Sequence, residues 1–165
     1  MVKEIMEIKT IASVLAVACG LMSTGSYGGN FSPSMTPQQE AALSNSFVRA
    51  SDIQVAKAIT EAQPLIIEIT KRIACYPKYD GWRILGSYTT PDYSSGGWQS
   101  PMTQVDYHPK SQCLSVVRID GWKMPALNAL EYRVAYTSDQ SSHSVSRKYR
   151  LIKQIDGQWL LDNGL

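Results

Sequence analysis

The sequence predicts an α+β fold in which N-terminal helices pack on one face of an antiparallel β-sheet. Three observations carry this. Apolar residues recur at helical spacing from Leu43 to Ile73. From Tyr76 onward the period shifts to two, and Asp-Gly dipeptides mark turns. The length of 165 residues suits a single domain, with enough chain beyond an N-terminal export segment to bury a core.

Thr36-Pro37-Gln38-Gln39 reads as a helix start: Thr36 as N-cap, Pro37 at the first helical position and Gln39 completing a capping box. Leu43 and Phe47, four apart, then share a face. Ser51-Asp52-Ile53-Gln54 repeats the start signal, and Val55, Ile59 and Ala62 continue an amphipathic pattern. Pro64 interrupts it. Leu65, Ile66, Ile69 and Ile73 resume a helical face, with Glu68 four before Arg72, so the spacing predicts a third helix or a kinked continuation in preference to a buried strand.

The clearest strands lie near the C-terminus. Tyr132, Val134 and Tyr136 alternate with Arg133, Ala135 and Thr137; a polar turn comes next, from Ser138 to Ser144. Tyr149, Leu151 and Ile155 then alternate with Arg150, Ile152 and Gln154, and Trp159 and Leu161 form a returning strand, which together make an antiparallel meander. Weaker strands are expected over Trp82–Tyr88, Trp98–Tyr107 and Leu114–Ile119, with Pro125 breaking the chain before a helical-looking Ala126–Leu130. Tyr79-Asp80-Gly81-Trp82, Ile119-Asp120-Gly121-Trp122 and Ile155-Asp156-Gly157-Gln158-Trp159 read as hairpin turns, since Asp-Gly tolerates positive φ. Their unequal spacing argues against a repeat architecture.

The N-terminus carries an address. Lys3 and Lys9 precede the apolar run Thr10–Ala18, which is too short to remain as a spanning helix and ends in small residues before Cys19-Gly20. Glu4 and Glu7 dilute the positive start, and translation from Met6 would give a cleaner leader than translation from Met1. Leu15-Ala16-Val17-Ala18-Cys19 resembles the bacterial lipobox, which implies lipidation of Cys19; Ala16 stands where that pattern usually has Leu. Ordinary signal-peptidase cleavage after Ala18 is the competing reading. The expected organisation is a signal peptide over 1–18, a lipidated cysteine and flexible tether over 19–35, and one α+β domain over 36–165. The expected location is the bacterial cell envelope, facing the periplasm and anchored by lipid, or alternatively the soluble periplasm or the exterior. With Cys19 lipidated or removed, Cys75 and Cys113 remain to pair in an oxidising compartment. Two unrelated buried thiols are the alternative.

The stretch Tyr149-Arg150-Leu151-Ile152-Lys153-Gln154-Ile155-Asp156-Gly157-Gln158-Trp159-Leu160-Leu161-Asp162 resembles the closing hairpin of nuclear-transport-factor-2-like domains. A long strand, a Gly turn and a Trp-bearing strand finish a curved sheet there. The resemblance implies a cone whose concave face can hold a ligand, house catalysis or serve as a protein interface.

Composition narrows the chemistry. A formal net charge of +2 is too small to make nucleic-acid or acidic-lipid binding the main purpose. The densest basic stretch, Arg147, Lys148, Arg150 and Lys153, reads as a solvated strand edge. Asp106 and His108, two apart, would face one side of a strand and could share a proton, though Pro109 makes a strand end entering a turn the preferred reading. His143 falls in a polar hairpin. Neither cysteine belongs to a CxxC pair, so no metal site is expected, and no cofactor motif is present. Nine Tyr and four Trp against two Phe favour rings with a polar end. Tyr76, Tyr79, Trp82, Tyr88, Tyr93, Trp98 and Tyr107, interspersed with Ser, Gly, Thr and Pro, form a candidate binding surface for a protein or a glycan. Rings that merely cover the sheet and decorate loops are an equal reading.

The sequence therefore favours a non-enzymatic envelope lipoprotein that binds a protein partner, as an accessory or assembly component of an envelope complex. A small-molecule or glycan-binding cone, with or without catalysis, is the second reading; an immunity or inhibitor protein is the third.

Overall fold

The computed structural model describes residues 33–77, 84–93 and 100–164. The leader, Cys19 and nearly all of the tether lie outside this range, as do Tyr79, Trp82, Trp98 and the Asp80-Gly81 turn signal. Two helices come first, α1 (Pro37–Asn45) and α2 (Ile53–Ala74). Short 3-10 turns at Gly86–Tyr88 and Pro101–Thr103 lead to four strands, β1 (Ser115–Ala126), β2 (Ala129–Thr137), β3 (Ser144–Lys153) and β4 (Trp159–Gly164). These pair as an antiparallel sheet in the order β1-β2-β3-β4, so the α+β class holds.

The capping box that opens α1 is fully formed. Gln39 N–H donates to Thr36 Oγ1 at 3.2 Å and Thr36 N–H donates to Gln39 Oε1 at 3.0 Å. Gln39 is buried, and its Nε2 also donates to the Cys113 carbonyl at 3.0 Å and to Ser115 Oγ at 3.2 Å. One side chain thus caps α1 and ties it to the start of β1.

The second helix starts one residue later than the repeated Ser51–Gln54 signal implies: Asp52 caps α2, accepting from the N–H groups of Gln54 and Val55. α2 then runs as one helix through Pro64, so the continuation prevails over a separate third helix. Proline inside a helix costs about 3 kcal/mol. Ile59, Ile66, Ile69 and Ile73 are all buried on the sheet-facing side. At about 1.5–3 kcal/mol each, their burial outweighs that cost.

The sheet alternates as the sequence requires. Leu130, Tyr132, Val134 and Tyr136 of β2, Tyr149 and Leu151 of β3, and Trp159 and Leu161 of β4 are buried in one cluster with the apolar face of α2. Gly157, at φ +88°, makes the β3–β4 turn. Each outer strand is bridged at one point: Ile119 exchanges backbone bonds with Ser46 and Val48, and Thr90 N–H donates to the Leu161 carbonyl at 2.8 Å.

Several expectations need correction. Residues 84–88 and 100–107, the described parts of two expected strands, form 3-10 turns and irregular chain. The strand expected at Leu114–Ile119 continues as β1 to Ala126. Asp120-Gly121 does not make a hairpin turn there; Gly121, at φ +69°, sits where the β1–β2 register shifts between Asp120 and Lys123 and forms a bulge. Pro125 is tolerated because β1 is the outermost strand of the sheet and Pro125 takes no place in the paired register. Ala126 pairs with Ala129, so Leu127-Asn128 forms a tight hairpin in place of the helical turn expected over Ala126–Leu130. Five residues with good propensity cannot repay helix nucleation when two strands are available to pair. The basic stretch lies on β3, an interior strand, so its charges divide between the two sheet faces and do not line an edge.

Candidate functional site

Cys75, at the C-terminal cap of α2, is disulfide-bonded to Cys113, and the neighbouring Leu114 N–H donates to the Ala74 carbonyl at 2.9 Å. The bridge therefore fastens the end of α2 to the start of β1, next to the Gln39 strap. With a separation of 38 residues, it stabilises the fold by about 3–4 kcal/mol in the chain-entropy model. The whole aromatic-rich segment lies inside this closed loop.

Within that segment the described rings divide. Tyr88 is half-buried, its hydroxyl 3.3 Å from Arg72 Nη2, with the Arg72 guanidinium 4.9 Å from the ring centroid. Tyr93 packs against the core, its hydroxyl is buried without a partner among the described residues, and burial pushes its phenol pKa up. Tyr76 is half-buried, and its carbonyl accepts from Ser100 Oγ. Tyr107 differs: it is 89% exposed at φ +59°.

That positive φ also separates Asp106 from His108. The Asp106 carboxylate meets His143 Nδ1 at 3.0 Å, both side chains being exposed. His108 lies 3.0 Å from Ser138 Oγ through Nδ1 and 2.9 Å from the Gln112 carbonyl through Nε2. A carbonyl only accepts, so Nε2 carries a proton. His108 is a loop staple between the chain before β1 and the β2–β3 hairpin. The strand geometry that would let Asp106 and His108 share a proton does not form, because the chain turns between them.

The larger aromatic constellation lies elsewhere. Phe47, Trp122, Tyr132 and Tyr149 make successive ring contacts at 6.1, 5.7 and 5.4 Å between centroids, and the Tyr149 and Tyr136 hydroxyls are 2.9 Å apart. Burial raises the phenol pKa of Tyr132, Tyr136 and Tyr149 alike. Tyr132, Tyr136 and Tyr149, with Leu130, Leu151, Trp159 and Leu161, fill the inner sheet face in one cluster with α2, and Phe47 and Trp122 pack against it. No family model, curated protein or solved structure matches this chain.

The described clefts are open grooves. One, about 380 Å³, lies between Pro33–Met35 and the end of α2, where Glu40 pairs with Lys71 and Glu68 with Arg72. Another, about 280 Å³, is lined by Lys57, Glu61, Met124, Leu127, Lys153 and Trp159. Among the described residues no cluster of His, Cys, Asp and Glu could hold a metal, and no helix is long and apolar enough to cross a membrane. The pattern that sequence reasoning missed is the outward face of the sheet. Arg118, Lys123, Arg133, Lys148 and Arg150 share it with Asp120 and Glu131. Period-two alternation marked those positions as outward, but only the β1 bulge and the strand register bring them together.

Proposed function

We propose that this chain is a lipid-anchored protein of the bacterial cell envelope whose single, cone-like domain binds another protein and does no chemistry of its own. One observation carries this reading. The sheet face that a ligand-binding cone would leave open is occupied by Tyr132, Tyr136, Tyr149 and Trp159, all buried in one cluster with the apolar face of α2 and with Met102 and Val105 of the loop before β1. A domain with that face filled recognises its target with its outside. The placement of Asp106 and His108 agrees, since Asp106 pairs with His143 at the surface and both His108 nitrogens are engaged in a loop staple. The anchor rests on the leader and on Cys19, and the tether of roughly fifteen residues lets the domain work away from the membrane. The partner is a component of an envelope complex.

Crosslinking of the tethered chain in membranes, with affinity purification of the products, tests the reading. A reproducible protein adduct is expected. Recovery of no protein, with specific retention on a peptidoglycan or metabolite panel, replaces it with the ligand-binding alternative. Mass spectrometry of the mature N-terminus tests the anchor: an unmodified Cys19 or a later start removes lipid attachment.

A further inference from the structure

We infer that the outward face of the sheet is the docking surface, and that the partner presents to it an acidic stretch of polypeptide. The inference rests on the protein-binding reading above and names the chemistry of what is bound.

The face is a grid set by strand register. Asp120 lies opposite Arg133, which lies opposite Lys148; in the adjacent row Lys123 lies opposite Glu131, which lies opposite Arg150. Arg118 extends the pattern on β1, opposite Ala135. The carboxylates are already taken. Asp120 receives Arg133 through two bonds at 2.8 and 3.0 Å and is also paired with Arg118, while Glu131 receives Arg150 at 2.6 Å. Lys123 and Lys148 are exposed and have no carboxylate partner among the described residues. Among the described residues, β1–β3 place five cations against two carboxylates on this face, an excess of three, in a chain whose formal charge is only +2.

Arg133 and Lys148 stand directly opposite each other, and because Asp120 is already held by Arg133 and Arg118, the Lys148 ammonium faces a like charge with no carboxylate of its own among the described residues. Both line a depression of about 260 Å³ with Lys123, Glu131 and Gly121. Gly121 contributes no side chain there, and a Cβ at its position would sit 3.4 Å from the Arg133 Cβ.

Charge complementarity selects the occupant. A second copy of this chain would bring one positive excess against another. A bilayer or a nucleic-acid backbone presents continuous negative charge and would meet Asp120 and Glu131 inside the grid. The one exposed large apolar side chain of β1 is Val117, beside Arg118, and a lone valine is too little apolar surface to enter lipid. An acidic segment of a protein can place its carboxylates at Lys123, Lys148 and Arg133 and leave neutral residues over Glu131.

The test uses the full chain with its disulfide intact and a labelled peptide of alternating Glu and Ser, with binding read by fluorescence anisotropy at low ionic strength. The expected result is binding that Lys123→Glu with Lys148→Glu weakens at least about tenfold, that rising salt weakens, and that Lys110→Glu on the loop before β1 leaves unchanged. Circular dichroism checks the fold. If the charge-reversed chain loses its fold, Lys123→Gln with Lys148→Gln is expected to weaken binding about threefold. Equal affinity in the double variant, or equal loss in the Lys110 variant, overturns the inference. Displacement of the peptide by phosphatidylglycerol vesicles or by an oligothymidylate at matched charge overturns the assignment to protein. A cellular protein adduct that survives in the double variant keeps the protein-binding reading and removes this face from it. Absence of any protein adduct removes that reading itself.

Discussion

The phenol pair of Tyr136 and Tyr149 couples the core to pH. Both hydroxyls are buried and their partner is each other at 2.9 Å. Tyr149→Phe would leave Tyr136 unpaired in the interior and is expected to cost about 1–3 kcal/mol in urea unfolding, while replacing both by Phe costs less than the two single changes added together. Burial holds these phenols and that of Tyr132 above their ordinary value of 10.0. The folded state therefore keeps protons that the unfolded state loses. Their contribution is complete below pH 10 and is lost as pH rises above it. Ultraviolet titration should find these tyrosines ionising only with alkaline unfolding; smooth titration of all nine near the ordinary value would contradict the packing. Asp120 works in the opposite direction. Hydrogen bonds from Arg133, with the charges of Arg133 and Arg118, hold its pKa below the ordinary 3.8 despite desolvation. Its contribution is present above that value and is lost as pH falls through the depressed one. Asp120→Asn should flatten the acid limb of the stability profile. At this scale the alternation of Tyr132, Val134 and Tyr136 was legible in the sequence, whereas the Asp106–His143 and His108–Ser138 pairings were not, because they depend on how two loops meet.

Among the elements, α2 and β1 are where local rules and tertiary packing disagree. Pro64 signals an interruption, and the helix continues because four isoleucines on one face gain more from burial than the proline costs. Pro64→Ala is expected to stabilise the domain by about 1–3 kcal/mol without altering the helical signal. In β1, Asp120-Gly121 carries the same local signal as the Asp156-Gly157 turn, yet only the latter reverses the chain. The difference lies in the neighbouring side chains: Trp122 packs between Phe47 and Tyr132 and keeps the strand running, while Ile155 beside the other turn is fully exposed. Gly121→Ala should cost about 1–2 kcal/mol through its positive φ and weaken acidic-peptide binding by moving Arg133. The strands expected at Trp82–Tyr88 and Trp98–Tyr107 failed for a related reason. Their aromatic residues suit strands, but Gly86, Pro91 and Pro101 interrupt or bound the described parts, and the chain after Tyr88 meets the β4 edge only through the bridge of Thr89 with Leu161.

For the whole molecule, the α+β order, the capped helices and the closing hairpin could be read in advance because each has a periodic or capping signature. The disulfide could be expected by counting, and it joins the two ends of the aromatic segment. Reduction of the Cys75–Cys113 bridge should lower stability by about 3–4 kcal/mol in chemical denaturation. The docking face left no such signature, since its cations come from three strands brought into register by a bulge. A domain that grips a protein with its outside, while its sheet interior stays filled, should be caught in the act by a probe on the right surface. Site-specific photocrosslinking of the full-length chain in living cells is that experiment, with the probe placed in turn at Lys148, Tyr107 and Ile155. One discrete protein adduct is expected, strongest from Lys148 and absent from Ile155 at the opposite turn. No protein adduct from any position, together with a small molecule or glycan that protects Tyr132 and Tyr149 from modification, would show instead that the sheet interior opens to a ligand.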